Sequence, residues 1–438
     1  MLLRDVKKAH LNPDCQGDVY IELPDEVGAG EDKVGKLRRW LYGFRPAAAA
    51  WENHYAAKLE EVGFKRGLAT PVSFYHPKKD VNLVVHGDDF TFTGEQAALD
   101  WVETLMKGWF HVKVRARLGP EKGDDKTATL LGRILRWHSW GISCEADPKY
   151  RKQIMEALGL EEESKSLSSP GAREEDGKDG GAARFVGEVR AYRSIVATIN
   201  YLATDQPDLQ FASKEACRDM AAPDERSWAK LKRIGRYLVG RRQVVWRFPW
   251  KEGHGGWTVT VDSDWAGDKA TRRSTSGGII RLGNHCLKTW SSTQSTPALS
   301  SCEAEYYAMV DGASRVLGLE EAAKELGIVG AGVELETDAN AAKSYASRRG
   351  AGRIRHIEVK WLWLQKAVAD GRFRLVKLVG TENPADVLTK YKSLMESRDL
   401  LRQVGIGLVG KSGKTGTPED IGWLCLSAGQ RWADAEEG

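Results

Sequence analysis

The residues best suited to chemistry in this 438-residue sequence are carboxylates set at the ends of apolar runs. Asp262 stands late in TVTVDSDW, Asp338 ends VELETD, and Asp386 follows Pro384 in NPADVLTK. Hydrolysis of a phosphodiester by two divalent ions needs several carboxylates converging, with the ions about 3.5–4 Å apart. One ion activates water and the other stabilises the leaving oxygen. Mg2+ or Mn2+ suits such oxygen donors. Taken singly, an Asp at a strand end is most often a turn or cap residue. The geometry that would change this is specific: parallel neighbouring strands would set Asp262 and Asp338 side by side, at the edge where open α/β sheets bind ligands.

The long helical stretch from Ser300 offers Glu303 and Glu305. Its apolar stripe (Tyr306, Met309, Val310, Ala313, Leu317) leaves both at the margins, so periodicity does not choose between them. Ser300-Ser-Cys-Glu303 matches a capping box, which gives Glu303 a structural task and leaves Glu305 as the better ligand candidate. Asp386, in the first turn of a last helix, is also simply favourable to the helix dipole. Asp264 and Asp268 read as loop residues. A second acidic pair, Asp88-Asp89, sits between β-rich runs, where turns favour Asp for local hydrogen bonds.

The elements that must position these groups are legible in part. Alternation predicts a strand over Asp18–Leu23, a helical stretch over Lys36–Val62 broken near Gly43, and a hairpin over Asn82–Thr93. A strand pair over Ala128–Trp137 and Gly141–Glu145 precedes a helix over Pro148–Leu158. Ser166–Ala183 is rich in Ser, Gly and charge and reads as a linker. Phe185–Val239 is helical, interrupted at Asp205–Asp208 and Ala222-Pro223. Strands then follow at Trp257–Asp262, Ser276–Leu282 and His285–Ser291, and a helix over Ser300–Leu326. The order ends with a strand at Val333–Thr337, helices over Ala339–Arg348 and Ile357–Asp370, a strand over Arg372–Leu378 and a helix from Pro384. That order is a mixed sheet covered by helices. Residues after about Lys392 carry no clear pattern.

Composition bounds the remaining classes. Hydrophobic residues are 41% and charged residues 29%, ordinary for a globular chain. No run of about 18 apolar residues exists, so no membrane partner is expected. The N-terminus has no apolar core of signal-peptide length, and the expected location is intracellular, cytoplasmic or nuclear. Six scattered cysteines without a Cys-x-x-Cys pair argue against a disulfide framework and a structural zinc site. The net charge of +4 says little by itself, but Lys230, Lys232, Arg233, Arg236, Arg241 and Arg242 crowd one predicted helix and its end. That face is either simply solvated or tracks phosphates. Lys411–Thr415 mimics the end of a phosphate-binding loop, but the first glycine such a loop needs falls at Leu408.

VDSDWAGDKATRRSTSGGIIRLG, KTWSSTQSTPALSSCEAEYYA, ETDANAA, RIRHIEVKWLWLQKAV and NPADVLTK, in that order, resemble the ribonuclease H domain of copia-type LTR retrotransposon Pol polyproteins. The resemblance implies that Asp262, Glu305, Asp338 and Asp386 are metal ligands for two Mg2+ or Mn2+ ions. It also implies that Arg355 and His356 lie near an RNA–DNA hybrid. Upstream, RDVKKAHLNPDCQGDVYIELPDE, LRRWLYGFRPAAAAW, VVHGDDF and LLGRILRW resemble the reverse transcriptase palm of the same elements. YRSIVATINYLATDQPDLQFA and WAKLKRIGRYLVG resemble the segment joining polymerase to ribonuclease H. By that likeness Asp5 and Asp88 would bind the two metals of nucleotide addition, with Asp89 beside them.

The family pattern is not met everywhere. His86-Gly87 stands where an aromatic residue and Val are usual, and Pro46, Ala48 and Ala49 where Gln, Pro and Arg are usual. The chain also begins four residues before Asp5, so a palm without fingers, polymerising weakly or not at all, is expected. The implied fold class is α+β or mixed α/β. The implied layout is a palm over 1–165, a linker over 166–184, a helical connection over 185–250, ribonuclease H over 251–395 and a tail over 396–438. The partners implied are an RNA–DNA hybrid, RNA template, DNA and other element-encoded proteins. The function expected is metal-dependent cleavage of RNA in hybrids, and the alternative is a nucleic-acid-binding remnant without turnover.

Overall fold

A computed structural model describes residues 1–172 and 189–410, apart from 29, 31, 251, 252, 254, 353 and 355. Most of the expected linker, most of the expected tail and the Lys411–Thr415 segment lie outside the described residues. The chain divides into two units, Met1–Ala128 with Gly318–Val329, and Thr129–Leu317 with the described residues from Gly330. No helix among the described residues is long and apolar enough to cross a membrane.

The first unit runs β1 (Leu2–Val6), β2 (Tyr20–Glu22), β3 (Val34–Lys36), α1 (Ala47–Glu61), β4 (Lys65–Arg66), β5 (Ser73–His76), β6 (Val81–His86), β7 (Asp89–Thr93), α2 (Gln96–Trp109) and β8 (Val112–Arg117). Six strands form one antiparallel sheet in the order β4-β5-β6-β7-β1-β8. Alternate residues such as Leu83, Val85, Phe90 and Phe92 bury one face under Trp51, Tyr55 and Leu59 of α1 and Leu99, Val102 and Met106 of α2. The hairpin expected around Asp88-Asp89 is present as β6–β7. The helix expected over Lys36–Val62 starts only at Ala47. Arg45 precedes a proline and is steered away from helical backbone, while the alanines after Pro46 are strong helix formers. The strand expected over Asp18–Leu23 shrinks to β2, paired only with β3 in a ribbon without a buried face.

The second unit begins within β9 (Thr127–Leu130) and continues with β10 (Arg133–His138), β11 (Gly141–Ala146) and α3 (Pro148–Ala157). The single strand expected over Ala128–Trp137 is split, because Leu131 and Gly132 both take positive φ in a two-residue turn of the kind that suits hairpins. Helices α4 (Val189–Ala203), α5 (Pro207–Arg218) and α6 (Glu225–Gly240) break where the sequence predicts and share a core built on Tyr192, Ile199, Leu209, Leu231 and Tyr237. Asp224 starts α6 with a capping box to Ser227. Within the segment expected to be helical, residues 241–249 are strand β12 (Arg241–Pro249).

A mixed five-stranded sheet follows: β13 (Trp257–Ser263), β14 (Thr275–Leu282), β15 (His285–Thr293), then α7 (Ser301–Glu325), β16 (Val333–Thr337), α8 (Asn340–Ala346), α9 (Trp363–Ala369) and β17 (Arg374–Lys377). Its order is β15-β14-β13-β16-β17, with β13, β16 and β17 parallel. The helix expected over Ile357–Asp370 reduces to a 3-10 turn and the short α9, and the helix expected at Pro384 is a 3-10 turn over Pro384–Leu388. The stretch after Lys392, without pattern in sequence, forms α10 (Leu394–Arg402) and β18 (Ile406–Gly410), which pairs with β12. Ser393 and Glu396 cap α10 reciprocally, a readable signal. Ile406 and Leu408 are buried, but the glycines between and around them mask the alternation.

Candidate metal centre

β13 and β16 are parallel neighbours, pairing Trp257 with Val333 through Thr260 with Glu336. Asp262 and Asp338 therefore leave the sheet at the same edge. The 3-10 turn carrying Asp386 is pinned to that edge by the buried Asn383, whose Nδ2 donates to the Val261 carbonyl at 3.1 Å and whose Oδ1 accepts from the Ala385 amide at 3.0 Å. The turn can sit there because Gly277 lies opposite Asp262 on β14. A Cβ at Gly277 would come within 2.7 Å of Leu388 and 2.8 Å of Thr389. Among the described residues, Asp262, Asp338 and Asp386 form a group whose carboxylate oxygens lie within 4.8 Å of one another.

Glu305 comes from the first turns of α7, which is buried over most of its circumference through Ala304, Tyr306, Tyr307, Ala308, Met309 and Val310. Gly312, two turns on, lets α7 lie against β13, since a Cβ there would fall 2.7 Å from Val261 and 2.9 Å from Val259. Burial pushes the Glu305 carboxyl up to about 9, helped by the charges of Asp262 and Asp338. Its Oε2 is buried without a hydrogen-bond partner. Burial likewise lifts Asp262 to about 7, with Lys390 opposing and Asp386 adding to the rise. The Thr389 hydroxyl donates to Asp262 Oδ2. Lys390 Nζ stands 2.6 Å from Asp386 Oδ1 and 3.3 Å from Asp262 Oδ2, and Lys392 Nζ 2.9 Å from Asp386 Oδ2.

This is an acidic, mostly buried, oxygen-only donor set with too little positive charge around it, which suits hard divalent ions. The sequence reading overlooked Asn383, Thr389 and Lys390, although the +3 and +4 spacing from Asp386 inside NPADVLTK was a signal. Asp264 and Asp268 are loop residues: Asp264 accepts from the Thr275 amide, and Asp268 caps Ala270 and pairs with Arg218 at 3.1 Å.

Glu303 points elsewhere. It accepts from the Leu299 amide at 3.1 Å, the Tyr307 hydroxyl at 2.6 Å and His356 Nε2 at 2.9 Å. Its own amide donates to Ser300 Oγ, half of the expected capping box, while the returning bond goes to Leu299 rather than Ser300. Arg355 lies outside the described residues. On α6, Lys232 and Arg236 are exposed, Arg233 is half-buried and Lys230 pairs with Asp219 at 3.0 Å.

In the first unit, Asp5 on β1 faces Asp89 on β7 across the ladder, and Asp88 is exposed in the hairpin turn. Trp51 Nε1 donates to Gly87 O at 2.9 Å and steadies that turn. Arg115, from β8, pairs with Asp5 and lies 3.8 Å from Asp89. Burial raises the Asp89 carboxyl against the pull of Arg115. The alternating basic run VKVRAR was the only sequence trace of Arg115.

No family model matches the chain. It is 25% identical over 404 residues to the retrovirus-related Pol polyprotein from transposon TNT 1-94 of Nicotiana tabacum, covering 88% of this chain and 29% of that polyprotein. It is 27% identical over 422 residues to the retrovirus-related Pol polyprotein from transposon RE1 of Arabidopsis thaliana, covering 92% of this chain and 27% of that one. The chain thus spans less than a third of the length of these relatives. Among solved structures, a foamy viral protease-reverse transcriptase in complex with an RNA/DNA hybrid matches 86% of this chain and 44% of its own, with a TM-score of 0.50 at 11% identity. That likeness shows the fold, which is of the reverse transcriptase and ribonuclease H kind. The matches to relatives run along nine-tenths of the sequence, and over that length the chain is similar to Pol polyproteins of copia-type plant transposons.

Proposed function

We propose that the second unit hydrolyses the RNA strand of RNA–DNA hybrids with two Mg2+ or Mn2+ ions held by Asp262, Glu305, Asp338 and Asp386. The observation that carries this reading is the convergence of three Asp side chains from separate elements within 4.8 Å, beside a Glu whose Oε2 has no partner. When bound, the ions would supply an activated water and charge stabilisation at the leaving oxygen. The chain's own residues do the positioning. Asn383 holds the Asp386 turn on β13, Thr389 orients the Asp262 carboxylate, and the packed first turns of α7 fix Glu305. Exposed Lys232 and Arg236 would contact backbone phosphates, and the hybrid would be read by its shape and 2′-hydroxyls. In the first unit, the palm of this reading, Asp5, Asp88 and Asp89 would hold the metals of nucleotide addition. Arg115 between Asp5 and Asp89 favours slow addition there.

Full-length protein incubated with Mg2+ and a hybrid labelled in its RNA strand should cut that strand. Asp262→Asn and Glu305→Gln should each lower the rate by on the order of a thousandfold, at or beyond the loss from removing one transition-state donor. Intact hybrid after prolonged incubation with folded wild-type protein would overturn the proposal. Salt-sensitive binding without turnover would then put the non-catalytic reading in its place.

A further inference from the structure

We infer that Lys390 is a tethered counter-ion that holds the carboxylate cluster together while no metal is bound and yields its place when a divalent ion enters. The inference rests on the metal-site reading above and concerns this chain's own lysine. The Lys390 ammonium lies against Asp386 Oδ1 at 2.6 Å and reaches both oxygens of Asp262, Oδ2 at 3.3 Å and Oδ1 at 3.4 Å. Both residues belong to the group of three, with Asp338, whose carboxylates approach within 4.8 Å. A single ammonium thus already occupies the face that an ion shared by Asp262 and Asp386 would use.

The charge balance explains why a cation belongs there. Asp262, Glu305, Asp338 and Asp386 crowd one mostly buried spot, and carboxylates this close repel one another unless protonated or neutralised. Lys390 supplies one positive charge and Lys392 a second, on the other oxygen of Asp386. An ammonium cannot stay at contact distance from a divalent ion held by the same oxygens, because like charges repel strongly in a poorly solvated site. Lys390 also has a way out: its side chain is 36% exposed, and its four-carbon stem can carry the ammonium into water. Lys392 pairs with the other oxygen of Asp386, no ion pair of it with Asp262 is seen among the described residues, and it need not leave. Metal occupancy is therefore a competition that Lys390 tilts against weakly bound ions.

Mn2+ binding to the full chain, followed by electron paramagnetic resonance at fixed pH and salt, tests this without any activity readout. Lys390→Met should bind Mn2+ about tenfold more tightly than wild type, one power of ten in the binding constant. Lys392→Met should change binding less. Without metal, Lys390→Met should melt at a lower temperature than wild type, and Mn2+ should raise its Tm by more, as linkage requires. Equal or weaker Mn2+ binding by Lys390→Met would overturn the inference while leaving the metal site standing. Mn2+ bound by neither protein would overturn both. If Lys390→Met does not fold alone, Lys390→Gln is measured alongside it. Folding of either neutral variant only with Mn2+ present supports the inference, and failure of both even with Mn2+ overturns it.

Discussion

Asp262 and Glu305 ionise far from where carboxyl groups do in an unfolded chain, and that difference has a sign. Unfolded, they titrate near about 4. Folded without metal, burial and like-charged neighbours move them to about 7 and about 9. Between these limits the folded state holds protons that the unfolded state has lost, so stability falls as pH rises from about 4 towards about 9. Metal-free protein melted across that range should show a declining Tm, and Glu305→Gln should be the more stable protein at pH 9. A Tm that is flat or rising, with no gain in the variant, would contradict this. Mn2+ affinity should rise over the same window, since protons must leave as the ion binds. Three of the four candidate ligands were legible as acidic residues at strand or helix ends. Glu305 was separated from Glu303 only by the capping box expected at Ser300, of which half forms, the Glu303 amide donating to Ser300 Oγ while its carboxylate takes the Leu299 amide. What sequence could not reveal were contacts between residues distant in the chain, such as Thr389 with Asp262 or His356 with Glu303.

At the scale of elements, α7 and β13 are the pair that sets Glu305 against Asp262. Gly312 lies two turns along α7 from Glu305, on the face that approaches Val259 and Val261. Gly312→Ala should cost about 1–3 kcal/mol by overpacking. It should also slow hybrid cleavage more than it loosens hybrid binding, because the shift is passed to Glu305. Urea melts and a cleavage titration check both parts, and a variant as stable and active as wild type would show that the close approach does not matter. The first strands of this sheet were legible as apolar runs bounded by turn residues, and the parallel pairing of β13 with β16, left open in sequence, is what the long α7 between them allows. Elements were misread where a local backbone rule outranked periodicity, as at Pro46, or where glycines interrupted it, as in β18. The short 3-10 turn that carries Asp386 was taken for a helix start, since the first turn of each looks alike in sequence.

For the whole molecule, a net charge of +4 is too small to steer it towards nucleic acid, and the distribution of charge has to do so. Lys232 and Arg236, exposed on α6, should each account for about one unit of the slope of log affinity against log salt. Replacing both by Ala should weaken binding to unrelated hybrids about equally, which competition binding at several salt concentrations would read. Loss confined to one sequence would argue for base contacts instead. The overall α+β organisation and the likeness to Pol polyproteins were legible from long stretches of motif in order. The split into units at Ala128 was not, because no composition change marks it. The most direct test of the central claim is the chemistry of the ends made when purified wild-type protein cuts the RNA of a hybrid in Mg2+. Attack by water in a carboxylate-held metal site predicts plain phosphate and hydroxyl termini, cut from the hybrid and not from the free single strand, and absent with Asp262→Asn. Termini bearing a 2′,3′-cyclic phosphate, which require attack by the RNA's own 2′-hydroxyl, or equal cutting by Asp262→Asn, would contradict the account.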